Sequence, residues 1–269
     1  MTHSFSLSRR HLALAVAAAS LLGSTVAHAQ TALDKITQSK TIKIAVPTDY
    51  PPYGFVGLDL KPQGLDIAMA ELIAKQMGVK LEMVPVTSAN RIPYVQTKQV
   101  DLVISTLGKN PERAKVIDFT HAYAPFFQGV YAPKSLSIKS FDDLAGKTIA
   151  VAKGAMEEQE LAKVGPASMQ FKRYEDQAAS TAAFVAGQAQ VLATSVSNAG
   201  LMAQKNPQLG AEYKLLIKDS PCFVGVAKGE DALRAKVNEI ILAAKKDGTL
   251  DAMSKKWLGR PAGDLPLTE

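Results

Sequence analysis

From Thr41 onward the chain alternates short apolar runs with helical stretches, and it does so over enough residues to build more than one sheet. Residues 41–46, 79–86, 102–105, 148–151, 170–174 and 191–194 read as strands, and 66–77, 156–163 and 176–186 as helices between them. Such alternation argues for an α/β protein with mostly parallel sheets. In 66–77, Ile67, Ala70, Ala74 and Met77 share one face, and Gly78 stands where a helix ends. In 79–86, Leu81 and Met83 alternate against Lys80 and Glu82, the period of a half-buried strand. Helices over 231–246 and 250–257 carry apolar stripes suited to packing on a sheet. The tail from Gly259, bearing proline and glycine, is expected to be loose.

Ser8-Arg9-Arg10, the apolar run 12–22 and Ala27-His28-Ala29 have the order of a secretory leader, too short in its apolar part to span a bilayer. Cleavage after Ala29 would remove 29 of 269 residues and leave 240, a length suited to two lobes. Lysine plus arginine would fall from 31 to 29 against 25 acidic residues, a net charge of +4. That charge is too mild and too evenly mixed for a nucleic-acid surface. Cys222 is the only cysteine, so no internal disulfide forms, and a buried thiol is expected. His121 is the only histidine beyond the leader, which leaves zinc sites and Ser-His-Asp or Cys-His machinery without parts. The Gly146-Lys147-Thr148 run is no phosphate loop, because Phe141 occupies the position where that motif needs its first glycine.

The chemistry concentrates in residues 86–123, VTSANRIPYVQTKQVDLVISTLGKNPERAKVIDFTHAY. A short amphipathic helix around Ile92 and Val95 precedes the buried strand 102–105, and Thr106, Leu107, Gly108, Lys109 and Asn110 lead from it into Pro111-Glu112-Arg113. Chain that leaves a strand's carboxyl end and enters a helix is where open α/β sheets take small ligands. Arg91 and Arg113 bracket this strand. Arginine is always charged and presents a fork of donors matched to a carboxylate. On spacing alone, an anion site and two solvated surface charges are both open.

The stretch STLGKNPERAKVIDFTHAY resembles the signature of the polar amino-acid family of periplasmic solute-binding proteins, the receptors of ATP-driven importers. The upstream TSANRIPYV is similar to the glutamate/aspartate-binding branch, and the likeness runs over essentially the whole chain beyond residue 29. It implies the type II periplasmic-binding-protein fold: two α/β lobes joined by two extended hinge crossovers. Residues 30–128 and 223–269 would form lobe 1 and 129–222 lobe 2. Arg113 then falls where the family holds the ligand's α-carboxylate, and Ser88, Asn90 and Arg91 where one branch holds a second carboxylate. Thr106, Leu107 and Gly108 would line the loop, and Tyr50 and Tyr53 of the Tyr50-Pro51-Pro52-Tyr53 turn one wall of the cleft. Gly154, Ala155, Met156 and Ser195 would close on the ligand from lobe 2, the first three through free backbone N–H groups at a helix start.

Four positions depart from that family's pattern. Ala155 and Met156 replace a Gly-Thr or Gly-Ser, Gly108 stands where many relatives have a hydroxyl residue, and Ser195 replaces the aspartate that holds the ligand's ammonium. Either Glu157 or Asp176 takes that aspartate's role, or the ligand lacks an ammonium. The resemblance implies a monomeric periplasmic substrate-binding protein that captures a small carboxylate-bearing solute, a polar or acidic amino acid. It would hand the solute to an ABC permease in the inner membrane, with no cofactor, metal, nucleic acid or catalysis. Three alternatives stand beside it: a cyclohexadienyl-dehydratase-like lyase using Glu157 or Asp176 as acid, a receptor for ammonium-free organic acids, and a receptor for a signalling protein.

Overall fold

The strands of the computed structural model, in chain order, are β1 (Thr41–Val46), β2 (Asp49–Tyr50), β3 (Gly54–Val56), β4 (Pro62–Gln63), β5 (Lys80–Pro85), β6 (Leu102–Leu107), β7 (Ile117–Ala124), β8 (Phe127–Pro133), β9 (Thr148–Ala152), β10 (Gln170–Tyr174), β11 (Val191–Ser195), β12 (Ala211–Asp219) and β13 (Cys222–Ala227). Residues 30–268 are described; the expected leader and its cleavage after Ala29 lie outside them. Two five-stranded sheets form, in the orders β5-β1-β6-β13-β7 and β10-β9-β11-β8-β12, with a small β2-β3-β4 sheet beside the first.

The sheets are mixed: most strands run parallel, as expected, and one strand in each is reversed. In each sheet four strands share one direction and one runs against them: β13 pairs antiparallel with β6 and β7, and β8 pairs antiparallel with β11 and β12. The reason is the connectivity. Strands built by strand–helix–strand units run toward the cleft, whereas β8 and β13 enter their sheets from the other lobe and so run away from it. The two crossovers lie side by side, joined by the Ser220 N–H donating to the Phe126 carbonyl at 3.0 Å.

The cores follow from the same pattern. Ile42, Ile44, Val46, Leu102, Ile104 and Val226 bury fully in the first sheet, covered by Ile67, Met69 and Ile73 of the helix Leu65–Met77 and by Leu233, Val237 and Ile241 of Asp231–Lys246. In the second sheet Val130, Ile149, Val151, Val191 and Ala193 pack on one face with Leu161. Tyr131, Ala150 and Leu192 pack on the other with Phe184, Ala199 and Met202. The helix Val196–Lys205 and the strand β12 were not read in the sequence. The β12 residues alternate weakly between exposed and half-buried, so no clean period of two marks them.

The C-terminal tail is not loose. Ala262 and Leu265 are buried, the Ala262 N–H donates to Asp251 at 2.9 Å, and the Thr268 N–H donates to His121 Nδ1 at 3.0 Å. The Pro266 carbonyl also accepts from the Ala122 N–H at the edge of β7. The parallel strands β1 and β6 of one lobe and β9 and β11 of the other all end at the space between the lobes.

Candidate functional site

The lobe 1 wall begins with β6, whose six residues are all buried. The strand extends two residues beyond the expected 102–105, so Thr106 and Leu107 still belong to the ladder. Thr106 adopts φ +45, a left-handed conformation costly for a β-branched residue. Its N–H is held at 2.7 Å by Asp66, whose other carboxylate oxygen accepts from the Tyr123 hydroxyl at 2.7 Å. Asp66 is fully buried, and burial pushes its pKa up to about 7 against the pull of the Tyr123 and Thr106 hydrogen bonds and the Arg91 charge. Sequence reading took Asp66 only as a helix start. Its spacing from Met69, Ala70 and Ile73, all buried, was the available sign that it shares the inward face.

Both arginines are buried in the cleft wall, and neither is a solvated surface charge. Arg91 opens the helix Arg91–Gln96, and its Nη1 donates to the Ser105 carbonyl. Arg113 sits in the short helix Pro111–Ala114, where Asn110 caps its N–H at 2.8 Å. Its Nη1 donates to the Gly108 carbonyl at 3.0 Å, and its Nη2 crosses the cleft to the Gly154 carbonyl at 3.1 Å. Burial and the like charge of Arg91 press the Arg113 pKa down to about 9, so it remains charged at neutral pH. The Nε–H of each arginine is buried without a partner. Two desolvated guanidinium groups with spare donors have the chemistry to take an anion.

The lobe 2 wall is the start of the helix Met156–Val164, where Ala155 occupies the N-cap position with no side-chain cap. The N–H groups of Gly154 and Ala155 are not free as expected: the first donates to Glu158 at 2.7 Å, and the second to the Ala152 carbonyl at 3.1 Å, closing the turn before the helix. Glu157, in its first turn, is buried and accepts from the Tyr50 hydroxyl at 3.4 Å. Burial raises its pKa, while a backbone N–H, Arg91, Arg113 and the Tyr50 hydroxyl favour its charged form. Asp176, the other acid considered, instead caps the next helix through the Ala179 N–H at 2.7 Å. Ser195 is likewise a helix cap: its Oγ accepts from the Asn198 N–H at 3.1 Å, and its N–H donates to the Tyr50 hydroxyl at 2.9 Å. A serine ahead of a helical run is a standard N-cap signal, and the unread helix hid it. Thr194 Oγ1, also missed, lies 3.2 Å from the same tyrosine oxygen.

Tyr50, Arg91, Thr106, Gly108, Arg113, Gly154, Met156 and Ser195 thus meet around one closed cleft. Tyr53 stacks between Tyr50 and Phe126 beside the hinge, with ring centroids at 5.3 and 5.2 Å. Leu107 turns its side chain into the lobe 1 core under Gly225, which leaves only its backbone for the cleft. Asn90 accepts from the Thr87 N–H at 2.8 Å and so shapes the loop that carries Ser88. Further hydrogen bonds join the lobes: Gln177 N–H to Asp49 at 2.7 Å, Asn198 Nδ2 to the Pro51 carbonyl at 2.9 Å, and Asn110 Nδ2 to Gln159 at 2.9 Å.

Two departures from the family's pattern explain each other. A Cβ at Gly108 would stand 2.7 Å from Met156 Cε and 2.7 Å from Ser220 Oγ, so the methionine fills the space that a hydroxyl side chain would need. Gly154, at φ +74, faces backbone instead: a Cβ there would stand 2.9 Å from Ala89 Cα and 3.2 Å from the Ser88 carbonyl on the opposite lobe. Backbone cannot swing aside as a methionine tip can. Gly154→Ala is therefore expected to hold the lobes apart and weaken ligand binding roughly tenfold, about 1.4 kcal/mol. Calorimetric titration checks this, and wild-type affinity in the variant would show that the two backbones have room to spare.

Residues 42–260 match the family described as bacterial extracellular solute-binding proteins, family 3. The chain is 28% identical over 232 residues to the L-cystine-binding protein TcyJ of Escherichia coli strain K12, covering 84% of this chain and 86% of that one. It is 30% identical over 203 residues to the ABC transporter glutamine-binding protein GlnH of Bacillus subtilis strain 168, covering 73% and 72%. Among solved structures it resembles the ancestral amino acid-binding protein AncCDT-1, a precursor of cyclohexadienyl dehydratase, with TM-score 0.74, 31% identity and coverage of 84% and 98%.

Proposed function

Because the chain belongs to the bacterial extracellular solute-binding proteins of family 3, and is a substrate-binding protein of amino-acid ABC transport, we propose that its own ligand is a polar or acidic α-amino acid enclosed between the lobes. The observation that carries this reading is the charge set of the cleft: Arg91, Arg113 and Glu157, all buried, with an unpartnered donor on each arginine. Arg113 takes the α-carboxylate, Glu157 takes the ammonium in place of the absent aspartate, and Arg91 faces the side chain, where a second carboxylate suits it. A preference for glutamate or aspartate rests on Ser88 and Arg91.

Closure follows from differential contacts, since a ligand shifts an equilibrium only through what it binds better in one state. An open protein holds Arg113 and Glu157 on separate lobes. A ligand with charges of both signs joins them, and the Tyr50, Gln177, Asn198 and Arg113 cross-lobe hydrogen bonds form with it. The closed monomer would then dock on a membrane permease outside the cell's inner membrane, after export and removal of residues 1–29. No catalysis is proposed, but Glu157 is a buried carboxyl with a raised pKa, as an acid catalyst would be. Product formation from a carboxylate panel would establish that second reading.

The test is a thermal-shift and calorimetric panel of L-glutamate, L-aspartate and L-glutamine against glutarate and succinate, with ligand-stripped protein. A ligand at 100 times its dissociation constant stabilises by about 2.7 kcal/mol. Amino acids are expected to bind more tightly than their ammonium-free counterparts, and equal affinity for glutarate and L-glutamate would overturn the reading. The pH dependence has a definite sign. Ammonium binding needs ionised Glu157, so affinity should be full above its raised pKa and decline as pH falls through it. Glu157→Gln should bind more weakly and lose this decline, and a variant with the wild-type profile would remove Glu157 from the site.

A further inference from the structure

Gln128 is fully buried, and neither its amide oxygen nor its amide nitrogen has a hydrogen-bond partner. Buried amides are otherwise almost always paired, because an unmade hydrogen bond in a dry interior is costly. The residue lies on β8 near the point where the chain enters lobe 2. Its cross-strand partners are Ser195 on β11 and Lys218 on β12. Partners in register project from the same face of a sheet. On that face Lys218 reaches Glu160 of the helix Met156–Val164 at 3.2 Å, and Val130 and Ala193, the next positions along, pack with Leu161 of that helix. Gln128 is therefore at the cleft end of this face, where the helix opens with Met156 and Glu157, and where the Gly108 loop of lobe 1 approaches Met156 and Ser220.

We infer that Gln128 is a ligand-binding residue that separates amino acids from organic acids: its amide oxygen accepts from the ligand's ammonium alongside Glu157, and its amide nitrogen donates to the ligand's carboxylate. An α-amino acid carries a donor group and an acceptor group on one carbon, and it completes both halves of the amide at once. An ammonium-free acid leaves the oxygen unpaired and so forfeits part of the contact. Ser195 does not fill this role, since its hydroxyl is taken by the Asn198 N–H. The inference rests on the amino-acid reading of the cleft and names a contact that reading leaves open.

The test compares wild type with Gln128→Leu and Gln128→Met by calorimetric titration. The probes are whichever of L-glutamate, L-aspartate and L-glutamine wild type binds most tightly, and its deaminated counterpart, glutarate, succinate or glutaramate. Both variants are expected to lose at least tenfold in affinity for the amino acid and less than threefold for the counterpart, which collapses the discrimination. The melting midpoint of the ligand-free protein is expected to stay or rise, because an unpaired amide is replaced by apolar volume. Unchanged amino-acid affinity, equal losses for both probes, or a clear fall in the ligand-free midpoint would each overturn the inference and make Gln128 a packing residue. Wild type that binds none of the amino acids would overturn the amino-acid reading itself, an outcome visible before any variant is made.

Discussion

Arg113→Ala is expected to lower ligand affinity by at least about a hundredfold, because removing one partner of a buried, hydrogen-bonded charge pair costs roughly 2–5 kcal/mol. Two separate losses add up. The ligand's carboxylate loses the guanidinium, and the closed form loses the Nη2 bond to the Gly154 carbonyl across the cleft. Arg113→Lys should fall between wild type and alanine, since it restores the charge without the planar fork that serves the Gly108 and Gly154 carbonyls together. Arg91→Ala should cost less than Arg113→Ala for amino acids with one carboxylate, and about as much for L-glutamate or L-aspartate. Calorimetric titration of the three variants decides this. Affinity near wild type in Arg113→Ala would put the carboxylate site elsewhere.

Asp66→Asn should change how stability depends on pH more than any other single replacement in the cleft wall. The pKa of Asp66 stands at about 7 in the folded protein, against 3.8 for an ordinary aspartate. Folding therefore takes up a proton between those values. Below pH 3.8 both states are protonated and the residue costs nothing; as pH rises the folded state is penalised progressively, and above pH 7 the penalty is complete. Each unit is worth 1.36 kcal/mol, so between pH 5 and 8 the wild type should lose about 3 kcal/mol that Asp66→Asn does not. Asparagine can still accept from the Thr106 N–H, which keeps the strained turn in place. Urea unfolding of both proteins at pH 5, 6.5 and 8 measures the difference, and parallel curves would mean that Asp66 folds as an ordinary ionised carboxylate.

Much of this site was legible in the sequence because its parts sit on strand ends. The buried run, the glycine-bearing loop and the Pro-Glu-Arg helix start left Arg113 and Arg91 open between an anion site and solvated surface charges, and it was the family resemblance that pointed both toward the cleft. Three things stayed hidden, for separate physical reasons. Asp66 lies in an ordinary helix start, and only its burial against β6 and Tyr123, distant in sequence, gives it a task. Ser195 was weighed as a ligand contact because it stands where the family has an aspartate, and its cap role stayed hidden because the helix Val196–Lys205 was not read. Gln128 carries no local signal at all. Its position depends on two strands that pair with β8 from 67 and 90 residues further along, Ser195 and Lys218. The antiparallel strands share this origin, since strand direction there is set by the chain's passage between lobes and not by any periodicity within the strand.

The fit between Gly108 and Met156 also bears on how such receptors can be recombined. The volume of one lobe's loop is given up to the other lobe's side chain, so neither half of the cleft is a self-contained module. A hybrid that joins this lobe 1 to a second lobe with a short residue at position 156 would leave a void beside Gly108. The reverse hybrid, with a bulkier residue at 108 opposite Met156, would jam before closing. Grafts that respect the hinge but cut between these two positions would inherit a mismatch, and transplanting position 156 together with the 106–113 loop is what keeps the two surfaces matched.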